Sequence, residues 1–166
     1  MSSGRILIAC VGNIFFGDDA FGVEVARRLA GRPLPEGVRV VDFGIRGLDL
    51  TYALLDDYEA VILVDAVPRG GAPGTLYVLE PEPAPDEPDA AVEPHTLDPV
   101  KVLRLARSLG GKVERVLVVG CEPRPPADDD MQMGLSEPVQ AAVAEAVPLI
   151  ESLLGRLRSP PECPCR

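Results

Sequence analysis

The segment from Gly12 to Gly22 (GNIFFGDDAFG) joins an apolar run, Ile6 to Val11, to a run with helical periodicity, Ala20 to Ala30. A continuous apolar run is typical of a strand covered on both faces, so this segment is predicted to be the turn between a central parallel strand and a helix. Its phenylalanines favour burial, whereas its carboxylates resist burial unless they are paired. Glycines and Asn13 suit a turn with a fixed conformation. This combination predicts a functional site in a rigid loop.

Apolar runs and amphipathic segments alternate along the rest of the chain. Strands are expected at Val38 to Phe43, Ala60 to Val64, Thr75 to Leu79 and Val113 to Val119, and helices over 48–55, 99–109 and 137–157. This order predicts an α/β fold with three layers, α/β/α, in which helices flank a twisted, mostly parallel sheet of five strands. The short alternating run Thr75 to Leu79 does not fix its own direction, and an antiparallel edge strand is one alternative.

Composition narrows the class of protein. The chain has 166 residues, of which 46% are hydrophobic, so we expect one domain over residues 1–158 and a flexible tail over 159–166. A net charge of −10 opposes a phosphate backbone, so nucleic acid is not expected as a partner. No apolar window is long enough to span a membrane, and the first apolar run is too short for a signal peptide. We expect a cytoplasmic monomer.

The cysteines do not form a disulfide framework. Cys10 and Cys121 lie in strand-like runs, whereas Cys163 and Cys165 share a Cys-Pro-Cys tail. This spacing favours free thiols in a reducing compartment. A soft metal bound by the tail is an alternative that the sequence does not decide.

Two further residues join the first loop as candidates for chemistry. Asp65 ends the apolar run Ala60 to Val64, and the only histidine, His95, follows a loop rich in acidic residues and proline, Glu80 to Pro94. Ligands gather at the carboxyl ends of strands in such sheets, so Asp19, Asp65 and His95 are predicted to form one cluster. Two oxygens and an imidazole suit a borderline divalent ion such as nickel or zinc.

Ordinary structural roles are the alternatives for these residues. Asp18 or Asp19 would cap the helix that follows, Asp65 would stabilise a turn, and His95 would be a bystander beside a helix start. A compact metal-binding motif is absent from the sequence.

Two classes of function are compatible with these residues. One is a site that recognises a metal or uses a metal to hydrolyse its substrate. The other is a receiver-like phosphoacceptor signalling module. A receiver domain also combines an acidic pair after its first strand with an aspartate at the end of its third. It needs a lysine after its last strand, where this chain has the run Gly120 to Pro123 (GCEP). The receiver is therefore the weaker alternative.

The chain resembles the nickel-iron hydrogenase maturation endopeptidases from Arg5 to about Leu157. The residues that carry the resemblance are Gly12-Asn13, Gly17-Asp18-Asp19, Gly22, the turn from Gly44 to Gly47, Val64-Asp65-Ala66, His95-Thr96-Leu97 and Gly120-Cys121-Glu122-Pro123. The resemblance implies that Asp19, Asp65 and His95 are the catalytic and metal-contacting residues. Because the acid of the first loop is often a glutamate in this family, Asp18 is the alternative to Asp19. Asn13, Asp18, Gly44 and Gly47 would support the site.

The same resemblance implies an activity and a partner. The expected reaction removes the C-terminal extension from the precursor of a hydrogenase large subunit after nickel has been inserted. The nickel would be carried by the substrate, although another divalent ion such as zinc is an alternative in its place. Either a metal-bound hydroxide or a carboxylate general base would then activate the water. Covalent catalysis is not expected, because no second histidine is left to activate a serine or cysteine.

Overall fold

A computed structural model describes residues 4–81, 99–113, 115–125 and 134–159. The elements are, in chain order, β1 (Ile6–Val11), α1 (Phe21–Ala30), β2 (Val38–Gly44), α2 (Gly47–Ala53), β3 (Ala60–Ala66), β4 (Leu76–Leu79), α3 (Pro99–Ser108), β5 (Arg115–Cys121) and α4 (Glu137–Arg158). A short 3-10 turn, Gly17–Ala20, precedes α1. The predicted strands and helices are therefore present, with shifts of a few residues at their ends.

The five strands form one sheet in the order β2-β1-β3-β5-β4. All neighbouring pairs are parallel except β4 and β5, which are antiparallel. β4 is thus the antiparallel edge strand that the sequence left as one alternative. The predicted α/β class, with a mostly parallel five-stranded sheet, is confirmed.

Helices cover both faces of the sheet, because successive side chains of a strand point to opposite faces. Ile6, Ile8 and Cys10 of β1 pack in one core with α1 and α4. Leu7, Ala9 and Val11 pack in a second core with α2 and α3. Every residue of β1 is buried, which explains why its sequence is apolar throughout. The predicted three layers follow from this arrangement.

Gly22 brings the start of α1 close to the sheet. A Cβ at this position would overlap the carbonyl oxygens of Val11 and Val64, which belong to β1 and β3. Only a glycine lets the helix begin so close to these two strand ends. The 3-10 turn before α1 is thereby held beside the carboxyl ends of the central strands.

The described helices include none that is long and apolar enough to cross a membrane. The last of them, α4, ends at Arg158. Residues 160–166, with Cys163 and Cys165, lie outside the described part of the chain, as does His95. The predictions for the tail and for a monomeric state stay predictions.

Candidate active site

Asp19 and Asp65 come together at the carboxyl edge of the sheet. Asp65 is the second-last residue of β3, and Asp19 lies in the 3-10 turn that follows the neighbouring strand β1 and packs against β3. Both side chains are partly buried. The sequence predicted this meeting from the rule that parallel strands end at one edge.

The environment disfavours a negative charge on both of these carboxyl groups. Burial raises the pKa of Asp65 well above its usual range, and the charge of Asp19 raises it further, against one hydrogen bond from the Ala66 N–H. Burial also raises the pKa of Asp19, against a hydrogen bond from the Asn13 N–H. Neither carboxylate belongs to an ion pair among the described residues. The pair therefore favours a proton or an added cation.

Asn13 fixes the loop that presents Asp19. Its backbone N–H donates to Asp19 Oδ2 at 3.2 Å, and its side-chain Oδ1 accepts from the Phe15 N–H at 3.0 Å. The Asp19 N–H donates to the carbonyl oxygen of Phe16 at 3.1 Å. A Cβ on Gly12 would overlap the Asp19 carbonyl oxygen, so the loop folds tightly onto its own start. The loop has the internal hydrogen bonds that the sequence predicted for it.

Asp18 has a different position from Asp19. It is buried, with 8% of its surface exposed. From the described residues its carboxylate accepts three hydrogen bonds: from the Ser136 N–H at 2.7 Å, the Ser136 hydroxyl at 2.8 Å and the Arg124 N–H at 2.8 Å. Asp18 thus ties the first loop to the segment after β5 and to the start of α4. Asp18 braces the loop, and Asp19 faces Asp65.

The alternative that an aspartate caps α1 is wrong. The N-cap position of α1 is Ala20, and no side chain of the described residues caps that helix. Ser136 occupies the N-cap position of α4, but its hydroxyl bonds Asp18 instead of its own helix. The 3-10 turn shifts the start of α1 beyond both aspartates, which frees them for these other contacts.

Gly44 and Gly47 flank the turn between β2 and α2. The Gly12 N–H donates to the Gly44 carbonyl oxygen at 2.9 Å, which joins this turn to the loop of Asp19. Gly47 is the first residue of α2, and its carbonyl oxygen accepts the hydroxyl of Thr51 at 2.9 Å. Both residues therefore lie where a supporting role was predicted.

Of the phenylalanines in the segment from Gly12 to Gly22, Phe21 is buried, whereas Phe15 and Phe16 lie at the surface. Phe15 is 54% exposed and Phe16 is 56% exposed. Both residues precede the 3-10 turn, in which Asp18 and Ala20 are the buried residues. Two large apolar side chains are therefore left at the surface beside the carboxylate pair.

His95 and its surroundings lie in residues 82–98, outside the described part of the chain. Within the described part, no three histidine, cysteine, aspartate or glutamate side chains are placed to hold a metal ion together. The structure thus joins two members of the predicted cluster, and the third stays a prediction.

Comparison with known proteins decides the family. Residues 23–153 match the family model described as hydrogenase maturation protease. The chain belongs to this family. The hydrogenase 2 maturation protease of Escherichia coli is 31% identical, over 93% of this chain and 91% of that protein. The solved structure of a hydrogenase maturating endopeptidase from E. coli is similar, with a TM-score of 0.76 and 30% identity over 92% of this chain and 93% of that one.

A hydrogenase 2 maturation peptidase from a Thaumarchaeota archaeon has a similar structure, with a TM-score of 0.65 and 34% identity over 91% of this chain and 98% of that one. The protein is therefore a peptidase of the hydrogenase maturation protease family. The receiver alternative has no support, since the antiparallel β4 lies at the sheet edge beyond β5 and the order differs from the 2-1-3-4-5 order of receiver-type sheets.

Glu122 holds the segment after β3 of this protease, a role that the sequence did not reveal. Its buried carboxylate accepts the Arg69 N–H at 2.7 Å, the Gly70 N–H at 3.0 Å and the Tyr77 hydroxyl at 3.1 Å. Burial alone would raise the pKa of Glu122, but these donors lower it below its usual value. Glu122 therefore holds the chain four and five residues after Asp65. A glutamate directly after a buried strand was the one available signal.

Proposed function

We propose that this protease removes the C-terminal extension of a hydrogenase large-subunit precursor after nickel insertion, in the cytoplasm and as a monomer. The observation that supports the proposal is the pairing of Asp19 with Asp65, two partly buried carboxylates whose pKa values are both raised. Such a pair gains most from a cation that arrives between its oxygens. A nickel ion held by the precursor supplies that cation.

In this proposal, recognition and cleavage share one ion. Asp19, Asp65 and His95 offer two oxygens and one imidazole nitrogen, which are ligands suited to nickel and also to zinc. A precursor without nickel leaves the two carboxylates facing each other, so it binds less well. The protease thereby tests metal loading before it cuts.

The proposed chemistry is direct attack by water. Asp65 accepts a proton from the water, whose oxygen bonds to the carbonyl carbon of the scissile peptide, and the C–N bond breaks as the proton passes to the leaving amine. The charge of the nickel keeps Asp65 ionised against the effect of its burial, so its carboxylate is free of a proton before the water arrives.

The described cysteines do not suit covalent catalysis. Cys10 and Cys121 are fully buried. Burial, with the nearby charge of Asp42, raises the pKa of Cys10 far above its usual value. Burial, with the charges of Asp18 and Glu122, raises the pKa of Cys121 to about 12. Both thiols therefore stay protonated and inert.

The test is precursor processing in cells that carry single substitutions. Asp65→Asn and His95→Ala should leave the large subunit as the longer precursor, seen by its mobility on a denaturing gel. Asp57→Asn is the matched control, because Asp57 is exposed and lies just before the amino end of β3, at the opposite edge of the sheet. Circular dichroism checks that each variant folds. Normal processing by Asp65→Asn would remove the basis of the proposal.

A further inference from the structure

Large hydrophobic side chains are exposed on two neighbouring segments: the loop after β1, and the turn after β2 together with α2. We name this set the apolar rim, and its members with their exposed fractions are Ile14 (39%), Phe15 (54%), Phe16 (56%), Ile45 (67%), Leu48 (62%) and Tyr52 (59%). Single exposed apolar residues are normal, but a group of this size marks an interaction site. The apolar rim is therefore a candidate binding surface.

A groove of about 340 Å³ adjoins the apolar rim, and three members of the rim line it: Ile14, Phe15 and Ile45. Its walls come from the loop after β1 and the turn after β2, and they include Asn13, Phe15, Phe43 and Ile45. β1 and β2 are parallel neighbours, so these segments leave the sheet at the same edge. The hydrogen bond from the Gly12 N–H to the Gly44 carbonyl oxygen, at 2.9 Å, holds the two walls together. The groove is thus formed before any partner binds.

The groove adjoins the carboxylate pair. Asn13 lines the groove, and its N–H donates to Asp19 Oδ2 at 3.2 Å. Phe16 of the apolar rim accepts the Asp19 N–H at 3.1 Å. An extended chain advances about 3.3 Å per residue, so a polypeptide at Asp19 reaches the groove within a few residues. One peptide bound at the active site is therefore long enough to reach the groove as well.

The charges around the groove indicate what kind of polypeptide segment it can bind. Among the described residues, Arg46 is the one cation that lines the groove, and it already donates to the carbonyl oxygen of Asp42 at 2.7 Å and of Phe43 at 3.2 Å. It also pairs with Asp49 at 3.3 Å. Arg46 is thus engaged within its own turn, and the protein carries a net charge of −10. These charges oppose an acidic segment and favour an apolar segment that is neutral or basic.

We propose that the apolar rim and its groove bind an apolar, neutral or basic segment of the polypeptide substrate that adjoins the cleaved bond. The inference rests on the proposed function, and it adds the sequence character that the substrate must have. Burial of the two exposed phenylalanines supplies binding energy, while the carboxylate pair carries out the reaction. Substitutions in the apolar rim therefore raise KM and leave kcat nearly unchanged, whereas substitutions in the pair, which binds the nickel and carries out the reaction, lower kcat as well.

The experiment compares two double variants with the wild type, using a purified nickel-loaded large-subunit precursor as substrate. Phe15→Ser with Phe16→Ser should raise KM by about tenfold or more and leave kcat within about twofold. Leu105→Ser with Leu109→Ser is the matched control, since these leucines are also exposed (43% and 55%) but belong to α3 and its end. The control should leave both constants within about twofold of the wild type.

Other outcomes overturn the inference in distinct ways. An unchanged KM in the phenylalanine variant, or an equal rise in the control, shows that the apolar rim does not bind substrate. A difference in sedimentation coefficient between the wild type and the phenylalanine variant, each measured without substrate, would show that the rim binds a second copy of the chain. If the wild type does not cleave this precursor, the proposed function fails and the inference fails with it. Leu48→Ser, also in the rim, decides the question if the double variant does not fold.

Discussion

Replacing Asp18 with asparagine should weaken the fold and leave the carboxylate pair in place. The Asp18 carboxylate accepts the Ser136 N–H at 2.7 Å, the Ser136 hydroxyl at 2.8 Å and the Arg124 N–H at 2.8 Å. An asparagine offers one acceptor oxygen and two donor hydrogens. One of the two backbone N–H groups would then face another donor and lose its partner.

The loss of stability in Asp18→Asn follows from the number and kind of these hydrogen bonds. A buried donor without a partner costs about 1–3 kcal/mol, and the remaining bonds lose the strengthening that a charged acceptor provides. The free energy of unfolding should therefore fall by about 3 kcal/mol. For a domain of this size, each kcal/mol corresponds to roughly 2–4 °C, so Tm should fall by about 6–12 °C.

Thermal and urea unfolding of purified Asp18→Asn and Asp19→Asn measure this effect. Among the described residues, Asp19 accepts only the Asn13 N–H at 3.2 Å, and burial raises its pKa, so its neutralisation should leave Tm unchanged or higher. Asp19→Asn should nevertheless abolish precursor processing. A Tm for Asp18→Asn equal to the wild type, or a larger loss in Asp19→Asn, would refute the division of roles between the two aspartates.

Three further substitutions or probes test the same account. The pKa of Asp65 is higher in the folded chain than its ordinary value near 3.8, so without added metal Asp65→Asn should be more stable than the wild type at pH 7. That difference should shrink as the pH falls through the folded pKa, which urea unfolding at several pH values measures. Gly22→Ala should lower Tm or prevent folding, because its methyl group overlaps two strand carbonyls. Peptide mapping should find Cys10 and Cys121 unmodified by iodoacetamide at pH 8 in the folded protein and modified in urea, since burial raises both pKa values.

Local patterns were enough to predict most of the fold. The apolar run of β1 and the run that ends in Asp65 both form buried strands, because strand burial on two faces leaves a continuous apolar sequence. The direction of β4 was not predictable. It depends on pairing with β5, which lies far along the chain, and a short alternating run fits either direction.

Contacts between distant residues explain what the sequence did not reveal about the site. Asp18 and Asp19 are adjacent and have the same side chain. Hydrogen bonds from Ser136 and Arg124, more than 100 residues away, show that Asp18 is the one that holds the loop in place. Glu122 acquires its role from the Arg69 and Gly70 N–H groups in the same way. The pairing of Asp19 with Asp65 was predictable because both follow parallel strands, and that rule needs no side-chain contact.

The most direct measurement is cleavage of matched large-subunit precursors, one loaded with nickel and one free of it, by the purified protease after chelation of its own trace metals. The account predicts that the nickel-loaded precursor is shortened and the nickel-free precursor is not, because the ion between Asp19 and Asp65 comes with the substrate. Equal cleavage of both precursors would contradict it, as would activity that returns only when zinc is added back to the protease.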